Sequence, residues 1–586
     1  MTIGLRFNIF YRVLAQVFIE ILAVKGVAAM LSVIRLLITV ILFVLLSISA
    51  SAQWERDGEI IRPNIGYMIS GEIIIPDENH GAIAFWKTPS EGITGVYGQK
   101  IDSAGYQLWE PNGSFLGPTT MMYADQVACS DGQGGGIVAW ENYLANFSDI
   151  YAQRINRHGE LVWGDSGLAI TDFSGYEWGV DIVSDGCGGA IIVWLGDVNN
   201  IGRLVIQRLD SLGSKLYEEN GLYLTDQSYG NPVRPRLAMT SDSDFVCIWI
   251  DNRETGLGPG IYAQKFDIDG NLLWDPAGAA IAYDSVMISP TDRMQPGAPD
   301  QFGGFYCAWL DYRPHYNHRI YMQHVDANGT LNWGTSGIEV SSGTHNADLY
   351  LAIDEDNRAI VCWENGIDNY VACNIIWPEG DQQWPGGIIV LGDIYLFGGL
   401  VHSAPGEFEI AGRRSIPARM IAQKFTDIGE FPFGEGGIGF GIENQHGSNL
   451  WVTTDGLGGI IVLSKYGTEL RIHRVYRNGH IGGDTTTYAA EGPLPKDYNL
   501  SFGNYPNPFN SGTLITINSP IDQYVNLTLF DILGRKIRNL PLDKIESGTT
   551  LLYLDLSVDQ TISSGTYFLV LKAANKTVAR KITLLK

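Results

Sequence analysis

Hydrophobic and polar positions alternate with a period of two over most of the chain, in short runs rich in Val, Ile, Tyr and Trp that glycine-containing turns interrupt. Such alternation predicts half-buried β-strands, and the Asp-Gly and Asn-Gly pairs between the runs predict tight hairpin turns. Near-copies of one stretch recur: "DIYAQRINRHGELVWGDSG" at 149–167, "GIYAQKFDIDGNLLWDPAG" at 260–278 and "RIYMQHVDANGTLNWGTSG" at 319–337. The chain therefore contains a repeated β unit.

Each unit has two aromatic anchors. The first is a β-rich run that ends in tryptophan, at Trp86, Trp140, Trp194, Trp249, Trp309 and Trp363, with weaker counterparts near Ile410 and at Leu463. The second is a glycine, an aromatic residue four positions later and a glycine four later again: Gly105-Trp109-Gly113, Gly159-Trp163-Gly167, Gly213-Tyr217-Gly221, Gly270-Trp274-Gly278 and Gly329-Trp333-Gly337. Weaker sets are Gly380, Trp384 and Gly387, and Gly429, Phe433 and Gly437. The period is near 54 residues, and four antiparallel strands per unit of this length predict the blades of a β-propeller.

The eighth unit lacks an aromatic second anchor, because Gly483 stands where the ring is expected. The segment "QWERDGEII" at 53–61 supplies Trp54 and Gly58 at the missing spacing. We therefore expect the first strand of the exported chain to pair into the last blade, which removes an exposed sheet edge. The predicted fold is all-β: an eight-bladed β-propeller over residues 53–490, closed by the N-terminal strand. Seven blades remain an alternative if the stretch from Ile388 to Phe440 is an insertion.

The first 52 residues predict a secretory signal peptide. Met30 is the expected true start, Arg35 gives a positive region, residues 36–48 give an apolar core, and cleavage is expected after Ala52. An uncleaved membrane anchor is the alternative. The leader carries a net charge of +3, so the stated charge of −25 becomes −28 in the mature chain. A chain this acidic is repelled by phosphate backbones, which argues against nucleic acid as a partner.

Catalytic and metal-binding patterns are sparse. Six cysteines include no CxxC pair, and only Cys362 and Cys373, across one hairpin, are spaced for a disulfide. Acidic runs such as "DIDG" and "DEDN" suit calcium, yet turn formation explains them as well, so no cofactor is expected and calcium is the alternative. His315, His318 and His324 crowd one segment without an acidic or cysteine partner at metal-ligand spacing. The chain contains no GxSxG, HExxH or Walker A sequence, which favours a protein that is not an enzyme.

Repetition separates scaffold residues from candidate site residues. The glutamine of "YAQ" recurs at Gln99, Gln153, Gln207, Gln264, Gln323 and Gln423, as expected for hydrogen bonds within or between blades. The loops between second and third strands and the connections between blades vary, and up-and-down strands place both on one face. Binding usually resides in variable loops on a rigid scaffold. The predicted ligand-binding residues on this face are Tyr176, Trp178, Arg236, Asp251, Arg253, Arg293, Asp311, Arg313 and His315.

After a linker at 491–500, residues 501–586 change to about seven short alternating strands in roughly 90 residues, which predicts a β-sandwich. This segment contains "YPNPFN", "DILGR", "GTY" and a lysine-rich end. It resembles the type A C-terminal sorting domain of the type IX secretion system, an Ig-like fold. The residues that match are Tyr505, Pro506, Asn507, Pro508, Phe509, Asn510, Asp531, Gly534, Arg535, Gly565, Tyr567 and Lys581.

The resemblance implies export through the periplasm and across the outer membrane, with the type IX machinery as partner and a secreted or surface-attached product. Three functions remain open for the repeats. The first is a non-catalytic binding or adhesion protein with a polysaccharide or protein ligand on the variable face. The others are a carbohydrate-active hydrolase or lyase with spatially paired carboxylates, and a structural surface component without a discrete ligand.

Overall fold

The structure is a computed structural model, and it describes residues 54–55, 57–63, 68–90, 93–120, 122–144, 147–171, 175–198, 201–225, 232–241, 243–251, 260–283, 297–312, 318–341, 346–415, 417–443, 448–482, 501–505, 512–519, 523–531, 535–545, 548–555, 562–573 and 577–584. Within these ranges every regular element is a β-strand. None of the described segments is a helix of the length and apolarity that crossing a membrane takes. The chain divides into two compact units, Met1–Asp484 and Thr485–Lys586, and the predicted signal peptide lies outside the described residues.

Eight sheets of four antiparallel strands form the first unit, and we number them in chain order. The chain enters with β1 (Glu59–Arg62), which belongs to sheet 8. Sheet 1 contains β2 (Ser70–Pro76), β3 (Ala82–Ser90), β4 (Ile93–Ile101) and β5 (Ser114–Pro118). Sheet 2 contains β6 (Gln126–Ser130), β7 (Gly136–Leu144), β8 (Phe147–Ile155) and β9 (Leu168–Ala169). Sheet 3 contains β10 (Glu177–Ser184), β11 (Ala190–Val198), β12 (Ile201–Leu209) and β13 (Leu222–Tyr223).

The remaining sheets follow the same plan. Sheet 4 contains β14 (Pro232–Met239), β15 (Phe245–Asp251), β16 (Gly260–Phe266) and β17 (Ala279–Ala282), and sheet 5 contains β18 (Ala298–Pro299), β19 (Phe305–Asp311), β20 (Arg319–Val325) and β21 (Ile338–Glu339). Sheet 6 contains β22 (Asn346–Ile353), β23 (Ala359–Asn365), β24 (Tyr370–Ile376) and β25 (Ile388–Gly392). Sheet 7 contains β26 (Ile394–Ala404), β27 (Glu407–Ser415), β28 (Ala418–Thr426) and β29 (Ile438–Phe440), and sheet 8 contains β30 (Asn449–Thr454), β31 (Ile460–Tyr466), β32 (Glu469–Val475) and β1.

The sheets succeed one another in a propeller-like arrangement. The first strand of each sheet lies beside the first strand of the next, and β30 of sheet 8 lies beside β2 of sheet 1. The predicted pairing of the leading strand with the last repeat is present, because β1 pairs antiparallel with β32 with Glu59 opposite Ile472 and Ile60 opposite Arg471. Apolar clusters fill the spaces between neighbouring sheets, so each sheet buries both faces.

The two anchors of the repeat touch each other. The first-anchor tryptophans are fully buried, and each packs against the last glycine of its own second anchor. A Cβ atom at Gly167 would lie 2.7 Å from the Trp140 ring, and one at Gly387 would lie 2.4 Å from the Trp363 ring. Glycine recurs there because no larger residue fits against the indole, and because its backbone φ is positive.

The second-anchor aromatic residues join consecutive sheets. The Trp109 ring lies on Gly159 of the next sheet, and its indole N–H donates to Arg157 O at 3.4 Å. Trp54 does the same at the junction of sheets 8 and 1: it is 1% exposed, lies on Gly105 and donates to Ser103 O at 3.0 Å. The aromatic residue missing from the eighth repeat is thus supplied by the N-terminal segment.

A repeated ion pair ties the first turn to the third strand in six of the eight described sheets. In sheet 2 the Asp131 carboxylate accepts the Gln133 and Gly135 amides at 2.8 and 2.7 Å and pairs with Arg154 at 2.8 Å. Arg154 also donates to Ser211 O of sheet 3 at 2.8 Å. The equivalent pairs are Lys100–Asp77, Arg208–Asp185, Lys265–Asp244, His324–Asp300 and Arg474–Asp455. In the acidic runs considered for calcium, Asp267 accepts the Asp269 and Asn271 amides at 3.0 and 2.9 Å, and Asp354 pairs with Arg358 at 2.7 Å.

The recurring glutamines and the paired cysteines are also internal. Gln99 accepts the Trp109 amide at 3.0 Å and donates to Glu110 O at 2.9 Å, so it holds the turn that carries the second anchor. Cys362 and Cys373 lie directly opposite each other on β23 and β24 and form a disulfide, both buried. Among the described residues no group of three or more His, Cys, Asp or Glu side chains is arranged to hold a metal ion.

The second unit consists of two sheets. One contains β33 (Ser501–Tyr505), β34 (Gly512–Ser519) and β37 (Gly548–Asp555), and the other contains β36 (Lys536–Ile545), β35 (Gln523–Asp531), β38 (Gly565–Ala573) and β39 (Thr577–Leu584) in that order. Residues of both sheets share one apolar core. Asp531 closes its turn by accepting the Arg535 amide and Nε at 2.8 and 2.6 Å. Residues 506–510 and Gly534 of the sorting motif lie outside the described residues.

Candidate functional site

Four of the nine predicted ligand-binding residues, Arg253, Arg293, Arg313 and His315, lie outside the described residues. Asp251 and Asp311 end the second strands of sheets 4 and 5, and both are buried. Each accepts the indole N–H of the first-anchor tryptophan on its own strand, at 3.2 Å from Trp249 and 3.1 Å from Trp309. These two carboxylates thus have a scaffold contact, and their role toward a ligand stays a prediction.

Arg236 lies on β14, the first strand of sheet 4, beside Asp181 on the first strand of sheet 3. Burial raises the pKa of Asp181, while the Arg236 charge and the Leu237 amide, which donates at 2.8 Å, act in the opposite direction. Arg234, two residues earlier, has a φ of +57° at a bulge where sheets 1 and 3 carry Gly71 and Gly179 with φ of +62° and +68°. A non-glycine residue rarely adopts this conformation.

Exposed aromatic side chains gather around sheets 1 to 3, at the ends of strands where chain connections pass from sheet to sheet. Tyr123 is 76% exposed, Met68 56% and Tyr176 49%, and Tyr143 is half-buried. The Tyr123 hydroxyl lies 3.6 Å from the Met68 sulfur. Burial, followed by the charges of Glu141 and Asp125, raises the pKa of Tyr143, and Tyr176 adds to this effect. We call Met68, Tyr123, Tyr143 and Tyr176 the tyrosine shelf.

Hydrogen bonds to neighbouring backbone hold the shelf in place. The Ser70 hydroxyl donates to Met122 O, and Lys87 Nζ donates to Ala124 O at 2.8 Å, which fixes the segment around Tyr123. Beside Tyr176, Glu177 is fully buried: it accepts the Trp194 indole N–H at 2.9 Å, and its own amide donates to Ser148 Oγ at 2.8 Å. The exposed rings therefore stand on rigid backbone, which reduces the ordering cost of a contact.

Burial shifts the pKa of one acidic and one basic group near the tyrosine shelf. Burial, followed by the nearby Asp125 charge, raises the pKa of Glu141 to about 7. Burial lowers the pKa of Lys87 to about 8, against the favourable charges of Glu141 and Asp125. Asp125 itself is exposed. A carboxyl group that stays protonated near neutral pH beside an exposed carboxylate is the pair of groups that glycoside hydrolysis uses.

The contacts of Glu141 give it a structural role. The side chain is only 3% exposed. Its oxygens accept the Gly179 amide of sheet 3 at 2.6 Å and the Asp125 amide at 3.4 Å. The equivalent position of sheet 8 holds Lys465, which donates to Ile69 O of sheet 1 at 2.5 Å. This position therefore links one sheet to the next, and the raised pKa follows from that burial.

A separate cleft of about 580 Å³ lies among sheets 4, 5 and 6. Its wall is formed by Ser241, by residues 297–301 and by residues 351–354. Asp300 and Asp354 also line it, but the Asp300 carboxylate lies 2.9 Å from His324 Nε2, and the Asp354 carboxylate lies 2.7 Å from Arg358 Nε. The polar groups of this cleft are thus engaged in the scaffold.

Of the residues of this candidate site, the sequence analysis named Tyr176 and did not name Met68, Tyr123, Tyr143 and Asp125. Tyr143 stands in the variable stretch "WENYLANFSD", and Tyr123 stands in the connection between two repeats, as Tyr176 does. That shared placement was the available signal. Trp178, by contrast, is half-buried and packs into the core between sheets 3 and 4.

Comparison with known proteins identifies the second unit. Residues 504–584 match the sequence family described as "Secretion system C-terminal sorting domain". Curated protein sequences contain no match to this chain.

Solved structures resemble the chain only distantly. A puromycin-hydrolyzing peptidase of Mycobacterium tuberculosis has 10% identity and a TM-score of 0.39, over 80% of this chain and 62% of its own. The α-L-arabinofuranosidase Arb93A of Fusarium graminearum has 11% identity and a TM-score of 0.35, over 64% and 98%. The α-L-arabinanase of Penicillium chrysogenum has 11% identity and a TM-score of 0.31, over 52% and 92%. The chain spans less than two thirds of the length of the peptidase, and at these TM-scores the likeness supports no statement about activity.

The match at 504–584 agrees with the motif residues that the structure describes. Tyr567 is buried in the core of the second unit and donates to Ser563 O at 2.7 Å, and Asp531 and Arg535 close a turn. The chain therefore ends in a secretion system C-terminal sorting domain, and it is a cargo protein of the type IX secretion system that is exported to the cell surface or secreted.

Proposed function

We propose that the repeat unit is a non-catalytic binding module whose tyrosine shelf holds a polysaccharide. The observation behind this proposal is the cluster of exposed Tyr123, Tyr176 and Met68 on rigid backbone, next to exposed Asp125. Aromatic faces stack on apolar ring surfaces, and a carboxylate accepts hydroxyl hydrogen bonds. Because the mature chain is strongly acidic, a neutral glycan suits the shelf better than an anionic one.

The scaffold of this module is proposed to be an eight-bladed β-propeller closed by the N-terminal strand, over residues 53–490. The proposed signal peptide at 1–52 precedes it, and a linker at 491–500 leads to an Ig-like sorting domain at 501–586. Support comes from the pairing of β1 with β32, from Trp54 on Gly105 and from Arg474, which donates to Ser103 O at 2.6 Å. The first contact completes sheet 8 with the N-terminal strand, and the other two connect to sheet 1.

A carbohydrate-active hydrolase is the second candidate, and the proximity of Glu141 to Asp125 favours it. The hydrolase hypothesis requires Glu141 to reach a substrate, whereas its oxygens accept two backbone amides. Binding without turnover is therefore the expected behaviour.

The test is a screen of the mature chain, residues 53–586, on a glycan and polysaccharide array, with release of reducing ends measured in parallel. For a ligand found there, Y123A and Y176A should each weaken binding roughly 3- to 10-fold, since an aromatic contact contributes about 0.5–1.5 kcal/mol. Y106A is the matched control, because Tyr106 is 38% exposed in the turn between β4 and β5.

Four results would decide against the shelf. Unchanged affinity in both shelf variants would place the ligand elsewhere, and weakening by R253A and R313A would place it on the predicted arginines. Release of reducing ends that E141Q abolishes would establish the hydrolase instead. Absence of any glycan ligand would leave the structural surface role.

A further inference from the structure

The two parts of the mature chain have opposite net charge. Residues 53–500 contain 26 Lys and Arg against 57 Asp and Glu, a net charge of −31. Residues 501–586 contain nine Lys and Arg against six Asp and Glu, a net charge of +3. The sorting domain is therefore a basic module on an acidic cargo, and it attracts acidic partners that the cargo repels.

One face of the four-stranded sheet in this domain is solvent-accessible. Along β35, buried Val525, Leu527 and Leu529 alternate with Asn526, Thr528 and Phe530 on the other face. Along β38, buried Tyr567, Leu569 and Leu571 alternate with Phe568, Val570 and Lys572. The second set of each strand faces away from the shared core, because successive strand residues point to opposite sides.

The strand register places two of these outer residues, Phe530 and Phe568, in one line with a lysine on each flanking strand. Lys536 is opposite Phe530, Phe530 is opposite Phe568, and Phe568 is opposite Lys581. Neighbouring strands lie about 4.8 Å apart, so the line measures about 14 Å between the Cα atoms of the two lysines. We call these four residues the Lys-Phe-Phe-Lys row.

The row has the composition of a binding surface rather than of a solvated sheet face. Phe568 is 38% exposed, and Lys536, Lys581 and the nearby Lys572 are exposed. Phe530 and Phe568 lie opposite each other on neighbouring strands, on the face that points away from the core of the domain. Packing of that core therefore does not explain these two rings. Aromatic centres with a charged rim are typical of protein interfaces.

We propose that the Lys-Phe-Phe-Lys row is the docking surface by which the sorting domain binds an acidic, apolar-centred protein surface of the type IX secretion machinery. The two phenylalanine rings fill the apolar centre, and each lysine meets a carboxylate at one end. Two lysines at fixed positions in a single line fit paired carboxylates of a protein better than a membrane, which takes a denser cluster of cations for stable attachment.

The experiment expresses the full chain in a bacterium with a working type IX pathway and measures cargo in the medium and surface fractions against cargo retained in the periplasm. K536E/K581E should reduce export at least 10-fold with periplasmic accumulation, and K536R/K581R should retain it. R538E/R580E is the matched control, because it makes the same charge change on the same two strands. A register shift in β36 separates Lys536 from Arg538, so that Arg538 pairs with Leu529 of the buried face, and Arg580 pairs with Leu569 of that face. This control variant should export like the wild type.

Folding is checked separately, by thermal unfolding of the purified mature variants. If the double glutamate variant unfolds, K536Q/K581Q removes the charges without reversing them and should still reduce export. Normal export of a folded K536E/K581E or K536Q/K581Q variant overturns the proposal.

Two other occupants give distinct results. If the wild-type mature chain binds vesicles of anionic phosphatidylglycerol and the glutamate variant loses that binding in parallel with export, the partner is a membrane and the proposal is wrong. If the glutamate variant has a lower sedimentation coefficient than the wild type but is exported normally, the row serves a contact within the exported chain. That result overturns the proposal as well. Neither result depends on glycan binding by the tyrosine shelf.

Discussion

We expect a buried histidine on β32, the strand that pairs with β1, to make the stability of the first unit depend on pH. His473 lies opposite Val462 in sheet 8, the position that Gln153 occupies opposite Val138 in sheet 2. Its ring is fully buried, 2.8 Å from Ser464 Oγ, and it packs against Gly58, where a Cβ atom would lie 2.3 Å from the ring. We predict that H473Q, which introduces the glutamine found in six of the other seven sheets, removes a destabilisation that appears on acidification.

The magnitude follows from the pKa of the group in the two states. Burial, with smaller contributions from Arg471 and Arg413, lowers the pKa of His473 to about 3 in the folded chain, from an ordinary value of 6.5. Between these values the unfolded chain binds a proton that the folded chain does not, so stability is complete above pH 6.5 and falls with pH. At pH 5 the loss is about 2 kcal/mol, since each pH unit below 6.5 contributes about 1.4 kcal/mol.

Several carboxyl groups act in the opposite direction. Burial, as the largest cause, raises the pKa of Glu59, Glu141, Glu177 and Glu364 to about 7, so these groups gain stability as the pH falls toward their ordinary value of 4.5. The pH profile of the wild type alone therefore mixes both effects. The difference between wild type and H473Q cancels the carboxyl contributions and isolates the histidine.

The assay is urea unfolding of the mature chain, followed by tryptophan fluorescence near pH 7.5 and near pH 5, with H158Q as the control because His158 is exposed. The stability of H473Q relative to wild type should rise by about 2 kcal/mol between the higher and the lower pH. The same difference at both values, or a pH-dependent difference of equal size in H158Q, would refute the assignment of a neutral buried imidazole.

Three further predictions test the scaffold, each by urea unfolding of the mature chain. W54A and W109A should each lower the free energy of unfolding by about 3–5 kcal/mol, because both rings lie on a glycine of the next sheet. A loss below 1 kcal/mol for W54A alone would contradict the N-terminal closure. D131N should lower the free energy of unfolding by about 3–5 kcal/mol, because it leaves Arg154 buried without its carboxylate. D102N, in an outer turn, should lower it far less, and equal losses would be evidence against the ion pair. C362A/C373A should cost about 2–4 kcal/mol under oxidising conditions only; the same deficit with reductant present would show that packing, not the disulfide, is responsible.

The strand pairing could be predicted from the sequence wherever one copy of the repeat could be compared with another. The spacing of Trp54 and Gly58 predicted the pairing of the leading strand, and β1 lies against β32. Contacts between distant positions were not accessible in the same way. The sequence contains an aspartate in most of the first turns and a cation after most of the recurring glutamines. Asp131 and Arg154 nevertheless stand 23 residues apart, and only the register brings them together.

The candidate site was less accessible, because its residues occur once each. Tyr123 and Met68 stand in connections of different length and composition, and no periodicity relates them. Their proximity depends on how two neighbouring sheets are placed, which short-range patterns do not contain. Four of the predicted residues, among them Arg253 and Arg313, lie outside the described residues and stay predictions.

Departures from the repeat fall into two groups, and the distinction supports the tyrosine shelf. Departures inside the sheets have a packing reason. Asn374 replaces the recurring glutamine in sheet 6 yet still accepts the Trp384 amide at 3.2 Å. In sheet 8 the register puts Ser464, and not the expected Leu463, at the position of the first-anchor tryptophan, where its hydroxyl lies 2.8 Å from His473. Tyr123 and Tyr176 stand outside the sheets with most or half of their surface in solvent, so the core gives no reason for them. A binding surface requires exposed aromatic rings on rigid backbone, and these two rings have no packing role that would otherwise explain them. The tyrosine shelf, rather than the buried Glu141, is therefore the part of the repeat unit to test first.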